Sequence, residues 1–479
     1  MVSVPFSLIY YLSIISLFSV STSIDIQLSH FQTEENPSSN PYQRVNHLVA
    51  TSLTRAHHLK NPKHEPSKEN SPSTIKAPLF SQSYGAFSVP LSFGTPPQTL
   101  SFVMDTGSSF VWFPCTTHYL CKDCSFGDSS PDSRIPSFIP RQSSSSRIIG
   151  CEDLKCLWIH PGASRQCQDP EGICSPYFIL YGSGSTGGLA LSETLHLNRD
   201  LNVPNFLVGC SVESSRQPAG IAGFGRGPSS LPSQLNLTKF SYCSLSYKTI
   251  KNPSLHSWVV LDHSHTKSDK KTDALIYTPL VKNPVVKGKP AFLVYYYVGL
   301  RRISMGGKRV KVPYKYLSAS DRNGNGGTMV DSGTTFTFMS RGIFSPMSNE
   351  LVAQMERKGY KIDSEAEKSS GLKPCFDVSR NRKALFPELK LHFKGGAELV
   401  LPVENYMAFV GDDHRTACLM VVTDGMDREE AEEGPGIILG NFQLQNFYVE
   451  FDHSACEESQ SAIGFSRPIN DKRKWCDML

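Results

Sequence analysis

The chain has 479 residues, 39% of them apolar, so two or more domains with a sizeable core are within reach. Its formal charge is +4, from 48 basic against 44 acidic residues. That balance gives no reason to expect nucleic-acid binding, and no Lys/Arg-rich block reads as a membrane-surface patch. The first element in chain order is an uncharged apolar run, Phe6 to Val20, followed by Ser21, Thr22 and Ser23. This is the pattern of a signal peptide, residues 1–23, cleaved near residue 23. The run is short for a bilayer span, and no later segment is long and apolar enough for one, so a soluble mature protein is expected. Residues 24–80 form a distinct Cys-free segment rich in Pro, Ser, Asn and His, including His30, His47, His57, His58 and His64. A helix is expected over Tyr42 to Leu59, with linker on either side. From Ser83 onward short alternating strands and Gly/Pro turns take over, which predicts a mainly β fold.

Thirteen cysteines follow the leader, seven of them between Cys115 and Cys174. In an oxidising compartment disulfides are the expectation, with the odd count leaving at least one thiol unpaired or bonded to another chain. The run Cys121-Lys-Asp-Cys124 has no second CxxC at ribbon spacing, so no metal is expected there. The segment Asp321 to Gly326 opens like a calcium loop, but its twelfth position is Ser332 where a bidentate Glu is required. The charged stretches His263 to Asp273 and Asp424 to Glu433 read as solvated surface loops. Asn236-Leu-Thr238 is a glycosylation sequon.

The most informative feature is an internal repeat. Phe102 to Phe113 reads FVMDTGSSFVWF, and Thr328 to Met339 reads TMVDSGTTFTFM. Each is a short apolar strand, an Asp, a hydroxyl residue, a Gly, two further hydroxyl residues and a second apolar strand. A second echo follows in the same order, GIAGFGRG from Gly220 and GIILGNFQ from Gly436. Two ordered echoes argue for two duplicated lobes.

An unpaired carboxylate is costly at the end of a buried strand. Here two such strands each deliver an Asp, Asp105 and Asp331, into a Gly turn. Gly107 and Gly333 let backbone N–H groups approach the carboxylates. If the lobes pack face to face, the two carboxyls meet, cannot both ionise, and titrate as a pair. The ionised member can then take a proton from a water while the protonated member polarises a carbonyl.

These features resemble the pepsin-like aspartic proteases, specifically their atypical plant, nepenthesin-like branch. The resemblance runs from about Tyr84 to Ser466. It rests on Asp105-Thr-Gly-Ser108, Asp331-Ser-Gly-Thr334, Tyr181-Gly-Ser-Gly-Ser185, GFGRGPSSLPSQL from Gly223, KFSYC from Lys239 and ILGNFQLQNFYVEFD from Ile438. It implies a bilobal double-ψ β-barrel fold with the cleft between an N-terminal lobe, residues 81–285 with a Cys-rich insertion, and a C-terminal lobe, residues 286–479. It implies a secreted endopeptidase working in acid on protein or peptide substrates, as a monomer, with no cofactor and no metal; apoplast, wall or vacuole are the expected destinations. By position, Asp105 and Asp331 are the catalytic pair. Thr106 and Ser332 cross-brace the two loops, and Ser108 and Thr334 donate to the outer carboxylate oxygens. Tyr181 and Gly182 belong to a flap over the substrate, and Trp112 hydrogen-bonds the flap tyrosine. Ile221-Ala-Gly223 and Ile438-Leu-Gly440 thread beneath the Asp loops. Cys375 and Cys418 match a disulfide of the C-terminal lobe, and Cys210 is expected to pair with Cys476.

The family is made as zymogens, so residues 24–80 are expected to be a propeptide lying over the pair, with Lys60 or Lys63 as the blocking cation. Charging of its histidines below about pH 6 would help release it. The alternative is a catalytically silent pepsin-fold protein that binds or inhibits a partner, but relatives of that kind lack the full pair of aspartates.

Overall fold

The computed structural model describes residues 23–30, 41–60, 85–122, 124, 135–160, 172–181, 184–197, 201–217, 219–245, 257–262, 275–379, 384–411, 415–424, 433–453 and 461–466. It is mainly β. Strand Gln98–Asp105 shows how the sequence dictates this: Leu100, Phe102 and Met104 turn inward to the core while Thr99 and Ser101 face solvent, the period of two that a half-buried strand requires. Its neighbour Phe87–Phe93 does the same with Val89, Leu91 and Phe93, leaving Pro90 exposed. The ring of Phe93 lies 5.4–5.7 Å from those of Phe102, Phe113 and Phe206, the centre of the N-terminal core.

The repeat seen in the sequence is a repeat in topology. In the first half, strand Gln98–Asp105 runs parallel to Gly220–Gly223, which is antiparallel to Trp112–Pro114. In the second half, Thr328–Val330 runs parallel to Ile437–Leu439, which is antiparallel to Thr337–Met339. Each aspartate therefore ends one strand of a three-strand unit, and each apolar-apolar-Gly segment is the middle strand. Glycine is required in that middle strand: a Cβ on Gly223 would lie 2.3 Å from the carbonyl carbon of Ser109, and one on Gly440 2.5 Å from the carbonyl oxygen of Thr335.

The halves share a sheet. Lys239–Cys243 pairs with Ser257–Asp262 on one side and with Tyr448–Asp452 on the other, and the rings of Phe240 and Phe451 stack at 4.5 Å across that seam. The N-terminal segment departs from expectation. Helix α1 spans Pro41–Lys60, close to the predicted stretch, but Ser23–His30, read as linker, is a strand. It pairs antiparallel with Ser257–Asp262 and, at its end, with Phe87–Phe93. The edge of Ser257–Asp262 offers unpaired backbone groups, and any extended segment that reaches them gains a ladder of hydrogen bonds; the linker reading weighed composition alone and missed this.

Disulfides join Cys115 to Cys210, Cys121 to Cys124, Cys156 to Cys174 and Cys375 to Cys418. The last is the pairing implied by resemblance, and the two residues face each other on antiparallel strands. Cys210 is corrected: it bonds Cys115 and not Cys476, because Trp112–Pro114 lies parallel beside Asn202–Ser215 with Phe113 opposite Cys210. Cys476 lies outside the described residues. Among the described residues no helix is long and apolar enough to cross a membrane. Cys156, His160 and Cys174 are close enough to hold a metal, but both sulfurs are spent in a disulfide.

Candidate active site

The two Asp loops meet through their hydroxyl residues. The Thr106 N–H donates to the Ser332 hydroxyl at 3.0 Å, and the Ser332 N–H donates to Thr106 Oγ1 at 2.9 Å. Each hydroxyl then crosses to the opposite strand, Thr106 to the Val330 carbonyl and Ser332 to the Met104 carbonyl. The brace is buried, and it gives four backbone groups a partner in the opposite repeat. Asn441, which the sequence reading passed over, adds a pin: its side chain donates to the carbonyls of Ser332 and Gly85. Its position at the start of the helical turn after Gly440 was the available signal, since a buried Asn must find partners.

Each carboxylate is held the same way. Asp105 accepts from the Gly107 N–H at 2.9 Å and the Ser108 hydroxyl at 2.6 Å. Asp331 accepts from the Gly333 N–H at 3.1 Å and from the Thr334 hydroxyl. The loops leave no room for side chains: a Cβ on Gly107 would stand 2.7 Å from Asp331 Oδ1, and one on Gly333 2.6 Å from Asp105 Oδ1. The aspartates are thus within reach of each other's turn, as the face-to-face packing of the lobes requires. Trp112 donates its indole N–H to Tyr181 Oη at 2.8 Å, and both rings are buried. Gly182 lies outside the described residues. Asn236 is exposed in a turn with φ 52°.

A guanidinium lies between the two carboxylates. Arg55, from helix α1, puts Nη2 2.5 Å from Asp105 Oδ1 and 3.0 Å from Asp331 Oδ1, and Nε 2.7 Å from Asp331 Oδ2. Nε also reaches Thr334 Oγ1 at 3.1 Å. The cation between the aspartates is therefore Arg55 and neither of the expected lysines. Lys60 is turned away to Asp424, at 2.9 Å, and Lys63 lies outside the described residues. Arg55 fits because its fork matches two carboxylates at once, which an ammonium on a flexible stem does less well.

Helix α1 reaches this depth on an apolar face. Val49, Ser52, Ala56 and Leu59 are buried, and the helix packs into a cluster with Phe292, Tyr295, Phe336 and Phe338. The Ser52 hydroxyl accepts the Phe336 N–H at 3.0 Å. Gly434 lies so close to the end of the helix that a Cβ there would stand 2.3 Å from Lys60 Cα.

Burial pushes the Asp105 carboxyl above the usual carboxylate range, with the nearby Asp331 charge helping and Arg55 opposing. Asp331 goes the other way: burial works against its charge, but Arg55, Thr334 and the Gly333 N–H outweigh it. The pair is thus split, one member inclined to hold a proton and the other to give it up.

Comparison with known proteins gives this architecture a lineage. Residues 87–255 match the family described as xylanase inhibitor N-terminal, and residues 295–466 the family described as xylanase inhibitor C-terminal. A probable aspartyl protease of Arabidopsis thaliana is 30% identical over 76% of this chain and 79% of its own length. Aspartic proteinase nepenthesin-1 of Nepenthes gracilis is 30% identical over 90% and 88%. Among solved structures, basic 7S globulin from soybean is similar in fold, with a TM-score of 0.57, 20% identity and coverage of 83% of this chain and 96% of that one. The chain belongs to the pepsin-like aspartic protease family, with nepenthesins among its relatives.

Proposed function

We propose that this chain is the proform of a secreted aspartic endopeptidase, blocked by its own helix α1 and activated in acid. The observation that supports it most is the placement of Asp105 and Asp331 around the single nitrogen Arg55 Nη2, each carboxylate held by its own Gly N–H and outer hydroxyl. With Arg55 gone, the carboxylates share one proton and a water takes the guanidinium's place. The ionised carboxylate accepts a proton as the water oxygen bonds the substrate carbonyl carbon, and the protonated carboxyl gives its proton to the carbonyl oxygen. Collapse of the resulting diol breaks the C–N bond, the nitrogen leaves protonated, and the dyad returns to one proton. No acyl-enzyme forms. The Trp112–Tyr181 bond holds the tyrosine whose hairpin covers the substrate. The disulfide-bonded body and the uncharged apolar leader support entry into the secretory route; glycosylation at exposed Asn236 and a monomeric state in the apoplast, wall or vacuole are part of the proposal.

The test takes the full chain from pH 7 to about 3. The expected result is shortening of the N-terminus to near residue 80, with cleavage of a denatured protein that a statine-type mimic blocks. Asp331→Asn should abolish both. A second reading, a silent pepsin-fold protein that binds a partner, draws on the xylanase-inhibitor family match and the globulin fold neighbour. It would prevail if the folded, shortened chain cleaved nothing and Asp331→Asn changed nothing.

A further inference from the structure

Five residues beyond Arg55, helix α1 places a second cation in a site of its own. Lys60 is nearly fully buried, with 8% of its side chain exposed. Its Nζ lies 2.9 Å from Asp424 Oδ2 and 4.5 Å from the centre of the Phe338 ring. Burying an ammonium is costly unless a carboxylate or an aromatic face replaces its water, and here both do. The other Asp424 oxygen meets His57, which is half exposed. When α1 leaves the cleft, Asp424 loses both partners and Phe338 loses its cation, and the two groups border the space that the helix filled.

We infer that Asp424 and the Phe338 ring form a cation-accepting subsite that selects peptide substrates carrying Lys or Arg about two residues from the scissile bond. The position is reckoned for a substrate that runs along the axis of the helix it replaces. Arg55 occupies the place of the reacting bond, and Lys60 lies about 7.5 Å further along the axis at 1.5 Å per residue. An extended peptide covers that distance in about two residues. Lys60 is therefore a resident stand-in for the substrate's basic side chain, as Arg55 is for the reacting centre. The inference rests on the peptidase reading for the word substrate, but the subsite itself can be tested without turnover.

The experiment uses the full chain, cut at a protease site inserted between residues 61 and 84 and freed of its N-terminal segment in acid. Matched peptides carry Lys, Arg or norleucine at each of the four positions flanking one scissile bond. They are offered near pH 5, where an unpaired Asp is mostly ionised. Turnover is measured on the ordinary peptides, and binding by calorimetry on versions with a reduced, uncleavable bond. At one position two residues from the bond, Lys and Arg should be favoured over norleucine by about tenfold or more in both kcat/KM and affinity. Asp424→Asn should erase that preference and leave norleucine peptides unaffected, while Asp424→Glu retains part of it. Equal binding of Lys and norleucine peptides, or a preference that survives Asp424→Asn, overturns the subsite. Selective binding without cleavage would support the subsite and sink the peptidase reading; cleavage without selectivity would do the reverse.

Discussion

Ser332 stands where the first repeat carries Thr106, and its hydroxyl both accepts from the Thr106 N–H and donates to the Met104 carbonyl. Serine keeps both bonds, so the lost methyl affects packing and not the brace. In Ser332→Ala a buried N–H and a buried carbonyl lose their partners, each omission costing about 1–3 kcal/mol. The urea midpoint should fall accordingly and kcat/KM with it, because the Asp105 and Asp331 turns lose their shared clamp; Ser332→Thr should restore both. Unchanged stability in the Ala variant would mean that water repairs the brace. Trp112→Phe asks a narrower question. It removes the N–H that Tyr181 accepts at 2.8 Å while leaving a ring in place. Turnover should drop by about tenfold or more, the equivalent of one lost buried hydrogen bond, and the thermal midpoint should fall as well, because the smaller ring leaves a cavity where Trp112 was fully buried.

At the scale of elements, the proposed activation makes α1 both a blocker and a pH sensor. His58 is held down to about 4 by burial, with the Arg55 charge adding to the effect, and burial lowers His47 as well. The docked helix therefore binds fewer protons at these histidines than the free one. Their contribution to docking is complete above about pH 6.5 and is lost as pH falls toward 4; for His58 this is about 3 kcal/mol. Asp105 has the opposite sign: its raised pKa lets the docked state hold a proton as the pH falls, so it does not drive release. Asp424 shares the sign of the histidines but acts at a lower pH. Burial disfavours its charge, but His57 and Lys60 hold it down to about 2, so its share of docking survives until the pH falls below about 3.8. Release should thus begin well above the point at which the Lys60 anchor titrates. His58→Gln cannot charge, and should shift the pH midpoint of N-terminal shortening downward. Arg55→Ala should shift it upward, since two buried carboxylates lose their counter-charge and the helix its strongest hold. A midpoint indifferent to both variants would detach acid activation from α1. The sequence marked this helix and its histidines but chose the wrong cation. Arg55 and Lys60 share a helix, and only the depth to which Ala56 and Leu59 sink decides which of them meets the aspartates.

Across the whole molecule, what was legible in advance was whatever repeats or is enforced by local chemistry. The two Asp turns, their hydroxyls and the two Gly-bearing strands recur in order, so the sequence alone implied that they meet. Pairings between distant segments carry no such local mark. The bond from Cys115 to Cys210 depends on which strands lie side by side, and so does the strand at Ser23–His30, whose composition resembles a linker. That strand gives the last prediction. It supplies six registered partners to Ser257–Asp262, the strand that also pairs with Lys239–Cys243 in the sheet joining the two halves. If the N-terminal segment is removed to near residue 80, the outer edge of Ser257–Asp262 loses every one of those partners. Its outward-facing amides should then exchange with solvent faster, by a factor tied to the lost protection, while Lys239–Cys243, still flanked on both sides, stays protected. Hydrogen exchange followed by mass spectrometry, before and after acid shortening, reads the two strands separately. Unaltered exchange at 257–262 would show that another segment takes over the vacated edge, and the seam between the halves would then be rebuilt on activation and not simply uncovered.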